Sequence, residues 1–273
     1  MLRWRLLGIR FCIEPSFWLM NALWGYMLSG AVERGNRQGV LLFIVLWILC
    51  TLVSVLVHEL GHVVMGRIFG QPGNITLSGL GGQAMGSYDE LHGWQRILVA
   101  FAGPGAGFLL LAGLIFMDSF WWDSWMRSLD MPSLKLDSHP LGRAVLENPT
   151  YLTTTALLFV MNLFWNLINL LPIIPMDGGM IFKEVCIMIS PREGLKWAFS
   201  ISFALAGILT LYHLVVILQL YSETVRRAVP WDLFHFAFPE ITFIMLCMMT
   251  YQSFLGLRQV MAMQRHSMYA GRD

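Results

Sequence analysis

The stretch that decides the fold is Val55-Leu56-Val57-His58-Glu59-Leu60-Gly61-His62-Val63-Val64, in which two histidines and a glutamate lie inside an apolar run. Charged and imidazole side chains are costly in hydrocarbon, so residues placed there usually take part in chemistry. On a helix, the spacing of four residues puts His58 and His62 on one face, where they can share a zinc ion. Glu59, next to the first histidine, can then take a proton from metal-bound water.

The composition around this stretch indicates an integral membrane protein. Of the 273 residues, 56% are hydrophobic and 13% are charged, whereas a soluble domain carries about 25% charged residues. The net charge is +1, so no basic surface predicts a nucleic-acid partner. The four cysteines are scattered without CxxC spacing, which argues against a disulfide framework or a metal knuckle.

Six apolar segments are candidates for membrane-spanning helices, each of which needs about 20 residues. They are residues 15–32, 40–65, 95–117, 151–175, 197–221 and 238–257. The sequence therefore predicts an all-α polytopic membrane protein with about six transmembrane helices. The first segment lacks a clean small-residue cleavage site and is interpreted as a retained span.

Two further segments predict a small membrane-associated β element. Residues 1–11 alternate apolar side chains with arginines, which is the period of a strand. Residues 70–86 contain six glycines around Asn74-Ile75-Thr76-Leu77-Ser78, which predicts a short strand or hairpin, with a flexible loop as the alternative. The longest polar stretch, 118–150, is too short for a domain of its own. We therefore expect a single membrane-embedded domain over residues 1–273, with its core at about residues 40–190.

The distribution of lysine and arginine predicts cytoplasmic termini. Six spans place both termini on one side of the membrane, and that side then carries eleven Lys and Arg residues against seven on the other. The positive-inside rule assigns the richer side to the cytoplasm. We expect a multi-pass protein of a prokaryotic cell membrane. Trp121, Trp122 and Trp125, which follow the third span, fit an interfacial aromatic belt.

A second unusual segment can supply the third protein ligand that a catalytic zinc needs beside an open position for water. Residues 166–179 end the fourth apolar segment with two prolines and two glycines, which break a helix. Broken backbone at membrane depth is tolerated where it lines a cavity or is buried in protein. Asp177 lies in this break, and its carboxylate can complete a His, His, Asp set. The alternative role for Asp177 is a helix N-cap.

With these residues in place, the chain resembles the site-2 protease family of intramembrane metalloproteases. The matching motifs are His58-Glu59-Leu60-Gly61-His62 and Asn169-x-x-Pro172-x-x-Pro175-Met176-Asp177-Gly178-Gly179. The second follows the family form Asn-x-x-Pro-x-x-x-Leu-Asp-Gly, with Met176 in place of Leu. Ala102-Gly103-Pro104 is similar to the family's Ala-Gly-Pro motif, although Gly107 stands where an Asn is often found. With the glycine-rich segment 70–86, the resemblance covers about residues 1–180.

The resemblance implies that zinc is bound by His58, His62 and Asp177 and that Glu59 is the general base. It also implies that Asn169 holds the substrate carbonyl or its oxyanion. A side-chain amide can donate to the charge that develops in a tetrahedral intermediate, and a helix-to-helix contact is the alternative role for Asn169. Iron or cobalt would fit the same ligands as zinc.

Together the motifs predict an intramembrane zinc endopeptidase that cleaves transmembrane segments of membrane proteins with metal-activated water. A substrate helix hides its carbonyls in internal hydrogen bonds and must unwind before attack. We expect the strand at residues 74–78 to pair with the unwound segment. The expected partners are transmembrane protein substrates and the lipid bilayer.

No regulatory domain is visible after residue 257. We therefore expect regulation by partners or by another protease that trims the substrate first, as in regulated intramembrane proteolysis.

Two functions from other classes remain as alternatives. A metal-dependent transporter or channel would use the same polar cluster as a cation path, and a membrane scaffold would keep the cluster without catalysis. Glu59 discriminates between them, because a transporter needs ligands but no carboxylate beside the first histidine. The sequence leaves the substrate, the cleavage position and the oligomeric state open.

Overall fold

The structure, a computed structural model, describes residues 1–29, 37–79, 81–86, 90–128, 148–221 and 239–270. The helices are α1 (Pro15–Leu28), α2 (Arg37–Ile68), α3 (Gly93–Ser128), α4 (Pro149–Val160), α5 (Asn166–Asn169), α6 (Asp177–Ile189), α7 (Gly194–Tyr221) and α8 (Pro239–Ala270). The π-helical turn Met161–Trp165 joins α4 to α5. The strands are β1 (Leu2–Leu6), β2 (Ile9–Ile13), β3 (Gly73–Ser78) and β4 (Gly81–Gly86). The protein is thus mostly helical with a small β element, as the sequence predicted.

Among the described residues, three helices are long and apolar enough to cross a membrane. They are Arg37–Ile68, Gly93–Phe116 and Gly194–Leu218, which correspond to the predicted spans 40–65, 95–117 and 197–221. The predicted count of six is not confirmed. Helix α1 has 14 residues, fewer than the about 20 that a span needs, and the predicted span 151–175 loses its helical geometry after Asn169. The side chains of Trp121, Trp122 and Trp125 lie outside the part that is described.

The predicted β element is a four-stranded sheet in the order β1-β2-β3-β4. β1 and β2 form an antiparallel hairpin, β2 pairs in parallel with β3, and β3 pairs antiparallel with β4. The hairpin expected within residues 70–86 is confirmed. The expectation that the strand at 74–78 pairs with substrate is wrong, because β3 already has a neighbour on each side.

The sheet packs against α2 through alternate side chains of its two central strands. Alternation along β2 and β3 follows the period of two that a half-buried strand requires. The buried cluster consists of Ile9, Phe11, Ile13, Phe17, Val55, Val63, Ile75 and Leu77. Since Val55 and Val63 lie on either side of the His58–His62 segment, this core fixes that segment of α2 against the sheet.

The chain divides into two compact units. The first contains Met1–Leu91 and Ala102–Ile168, and the second contains His92–Phe101 and Asn169–Asp273. In the second unit, α7 and α8 are joined by hydrogen bonds between buried hydroxyls, with Ser202 Oγ 2.8 Å from Ser253 Oγ. Glu184 of α6 is buried there, and its carboxylate lies 2.8 Å from the guanidinium of Arg96. Such pairing is what a buried charge needs in order to be tolerated.

Candidate metal centre

His58 and His62 lie one helical turn apart on α2 with their imidazoles side by side. Their Nε2 atoms are 3.2 Å apart, and the exposed fractions of the two residues are 4% and 7%. Two nitrogens bound to one tetrahedral zinc, each at about 2.0–2.1 Å, stand about 3.3 Å apart. The separation of the two histidines therefore fits a shared zinc ion.

Two glycines let α3 approach this histidine pair closely. A Cβ at Gly61 would overlap the backbone carbonyl of Ala102, and a Cβ at Gly103 would overlap the imidazole of His62. Gly103 belongs to the Ala102-Gly103-Pro104 motif, so that motif has a physical role here. It makes room for the imidazole of His62 against the backbone of α3.

Glu59 of α2 faces β4, one of the two edge strands of the sheet. Its exposed fraction is 6%, and a Cβ at Gly82 of β4 would overlap its Cγ and Oε1. Buried charges in proteins are paired or coordinate metals. The role of this carboxylate, one residue from His58, as the general base on a water at the histidine pair remains a prediction.

A chain of buried polar groups lies behind His58. His58 Nδ1 is 2.9 Å from Asn166 Oδ1, and Asn166 Nδ2 donates to the backbone carbonyl of Asn162. Asn162 Nδ2 in turn donates to Ser54 Oγ at 2.9 Å. Neither Asn162 nor Asn166 was assigned a role from the sequence, although two amides four residues apart in an apolar segment were an available signal.

Asp177 is the first residue of α6, after the break that the prolines and glycines predicted. The N-cap of α6 is Met176, whose backbone is extended. Asp177 is therefore not the N-cap. Cβ atoms at Gly178 and Gly179 would overlap the backbone at Leu170 and at Ile173. The two glycines therefore let the start of α6 pack directly against the broken segment.

The broken segment has its backbone groups satisfied by buried serines. Ile174 N–H donates to Ser202 Oγ at 2.8 Å, and Ser253 Oγ donates to the carbonyl of Ile174 at 3.4 Å. Irregular backbone inside a membrane needs such partners, because no water replaces the lost helical bonds. The serines of α7 and α8 thus stabilise the segment that leads into Asp177.

His58 and His62 each offer an imidazole nitrogen, and Asp177 offers a carboxylate oxygen, as candidate ligands of one metal ion. Two imidazoles and a carboxylate are a donor set typical of catalytic zinc and leave a coordination position open. The donor chemistry of this group therefore fits zinc. Asn169 is the last residue of α5 and is half-buried, and its contact with a substrate carbonyl remains a prediction.

Comparisons with known proteins point to the same chemistry. The model of Peptidase family M50 matches residues 46–209. A zinc metalloprotease of Methanocaldococcus jannaschii is 30% identical over 216 residues, which are 77% of this chain and 53% of that protein. A relative from Synechocystis sp. is 28% identical over 193 residues, which are 69% of this chain and 44% of the relative. The chain thus spans about half the length of the curated relatives it matches.

A solved structure shares the fold. The site-2 protease from Methanocaldococcus jannaschii matches with a TM-score of 0.51 and 20% sequence identity, over 94% of each chain. The likeness supports the fold described above.

Proposed function

This integral membrane protein belongs to Peptidase family M50, the site-2 protease family, and from that premise we propose that it is an intramembrane zinc endopeptidase. Its substrates are transmembrane segments of other membrane proteins. The observation that carries the proposal is the buried Glu59, the residue after His58, together with a histidine pair whose Nε2 atoms are 3.2 Å apart. A metal transporter would need only the metal ligands, whereas peptide hydrolysis also needs a general base beside them.

Each polar residue of the site has a role in this chemistry. His58, His62 and Asp177 hold the metal, which when bound supplies a Lewis acid that polarises the scissile carbonyl and acidifies water. Glu59 accepts the proton of the attacking water and returns it to the leaving amine. Asn169 donates from its side-chain amide to the carbonyl oxygen as negative charge develops there.

We propose that β4, rather than β3, receives the substrate. Ile75 and Leu77 of β3 are buried in the core, while β4 is the last strand in the order of the described sheet. An unpaired strand edge offers N–H and C=O groups to an extended peptide. Because Gly82 of β4 lies against Glu59, a substrate strand paired there would run close to the general base.

The experiment that tests the function uses the purified full chain in proteoliposomes, with a model transmembrane substrate labelled on both sides of its span. We expect cleavage inside the span, loss of cleavage with the chelator 1,10-phenanthroline, and recovery when zinc is added back. The transporter alternative instead predicts zinc uptake by the liposomes without cleavage. Uptake without cleavage would contradict the protease assignment.

The finer membrane arrangement is part of the same proposal. We propose one membrane-embedded domain over residues 1–273 with a core at about 40–190, crossing a prokaryotic cell membrane about six times with both termini in the cytoplasm. The eleven-to-seven split of Lys and Arg supports this orientation. In a background without the native cysteines, Ala270→Cys should resist an impermeant maleimide in intact cells and react after lysis. Ready labelling of intact cells would contradict the orientation.

A further inference from the structure

We propose that Asn166 is a positioning residue that fixes His58 in the ring form needed to bind metal through Nε2. The inference rests on the proposed role of His58 as a ligand. It concerns a residue outside the two motifs that carry the family resemblance. Asn166 is the first residue of α5, directly after the π-helical turn. It is buried, and its Oδ1 lies 2.9 Å from Nδ1 of His58 on α2.

The orientation of the Asn166 amide follows from its second partner. The backbone carbonyl of Asn162 can only accept a hydrogen bond, so the group that faces it must be the Nδ2 of Asn166. The other end of the amide, Oδ1, then faces His58 Nδ1 at 2.9 Å. Because a carbonyl oxygen cannot donate, the proton of this bond belongs to His58 Nδ1.

The placement of that proton decides which nitrogen of His58 can bind metal. A neutral imidazole with its proton on Nδ1 has its lone pair on Nε2. Nε2 is the atom that faces His62 Nε2 at 3.2 Å. A hydrogen bond to the far nitrogen also fixes the plane of the ring, and such outer partners raise metal affinity. Asn166 therefore favours the ring form and the orientation that the metal site requires.

Gly107 makes room for this arrangement. A Cβ at residue 107 would overlap Nδ2 and Oδ1 of Asn166. Residues 107 and 166 are thus sterically coupled, because the Asn166 amide occupies the space that a Cβ at residue 107 would take.

Asn162 provides a matched control for this proposal, because it shares the burial and the residue type of Asn166. Its side chain donates to Ser54 Oγ and to the carbonyl of Leu158, and neither bond involves His58. Its contribution to Asn166 comes from its backbone, which a side-chain replacement keeps. Asn162→Ala therefore removes a buried amide without removing the partner of His58.

The test is the zinc affinity of the purified full chain in detergent, measured by competition with a chromophoric chelator. Asn166→Ala should weaken zinc binding by about 10–100-fold, which is the usual loss when an outer partner of a ligand is removed. Asn166→Asp keeps an acceptor for His58 Nδ1 and should bind zinc almost as well as the wild type. Asn162→Ala should keep the wild-type affinity while lowering the thermal midpoint of the metal-free protein.

The outcomes separate this inference from the function on which it rests. Wild-type affinity in Asn166→Ala, or an equal loss in Asn166→Asp and Asn166→Ala, overturns the positioning role while zinc loss in His58→Ala still supports the site. Wild-type affinity in His58→Ala would instead remove the proposed ligand set.

Gly107→Ala should weaken zinc binding, and combining it with Asn166→Ala should add no further loss of affinity. Gly113→Ala is the control on α3, since a Cβ there meets no atom within 4 Å.

Discussion

The carboxylate of Glu59 lies against the backbone of Gly82, so closely that a Cβ at residue 82 would overlap its Oε1. The proposed general base on α2 is therefore in contact with the edge strand β4. This contact joins two parts of the proposed mechanism, because the same strand that offers an edge to the substrate also sets the position of the base.

Gly82→Ala should displace the carboxylate of Glu59 and lower the rate of substrate cleavage. Since a positioned general base contributes about 10²–10⁴-fold to a rate, we expect a loss of at least about tenfold in kcat, with zinc content unchanged. Gln83→Ala, a change of an exposed side chain in the same strand, is the control. Full activity of Gly82→Ala would show that the contact has no part in catalysis.

Each of His58→Ala, His62→Ala and Asp177→Ala should lose most of the bound metal, because three protein ligands are the usual minimum for a catalytic zinc site. The measurement is zinc per protein by atomic emission after dialysis. His213→Ala is the matched control, because His213 is a buried histidine whose Nδ1 lies 3.1 Å from the carbonyl of Leu209. Stoichiometric zinc in Asp177→Ala would remove Asp177 from the proposed site.

The spacing of the site residues could be read from the sequence because it depends on local geometry. His58 and His62 share a helix face by the period of the α-helix alone, and two prolines with two glycines predicted the break before Asp177. The alternation in residues 1–11 and at Ile75 and Leu77 similarly predicted strands. These features need no knowledge of which distant segments meet.

The features that could not be predicted from the sequence depend on contacts between segments that are distant along the chain. β4 is an edge strand because the other side of β3 pairs in parallel with β2, and no local pattern specifies a pairing across α1 and α2. The partner of His58 is Asn166, 108 residues away, so its role follows from packing of two helices. The first predicted span, 15–32, extends past Leu28, where α1 ends, because hydropathy alone does not mark the end of a helix.

Proline scanning of β4 tests the substrate edge. The N–H groups of adjacent strand residues point to opposite sides of the strand. One of the two variants Gln83→Pro and Ala84→Pro therefore removes a hydrogen bond to β3, and the other removes only an N–H that points away from β3. We expect the variant with the higher thermal midpoint to show a raised KM for the transmembrane substrate and normal zinc content. An unchanged KM in that variant would exclude pairing of the substrate with β4 at this point.

Ser202→Ala should destabilise the broken segment, because it leaves the N–H of the half-buried Ile174 without its acceptor. An orphaned buried donor costs about 1–3 kcal/mol. The thermal midpoint in detergent should therefore fall clearly. Thr154→Ala is the control, since Thr154 Oγ1 donates to the carbonyl of Thr150 within its own helix. Equal midpoints in the two variants would argue against a special role for Ser202.

The central claim is that Glu59 performs hydrolysis at the metal held by its neighbours. The most direct measurement compares Glu59→Gln with the wild type, in zinc content and in cleavage of the model transmembrane substrate. An amide cannot accept the proton of the attacking water at neutral pH. We predict stoichiometric zinc, an unchanged thermal midpoint and no detectable cleavage. Cleavage by Glu59→Gln at near the wild-type rate would contradict the claim.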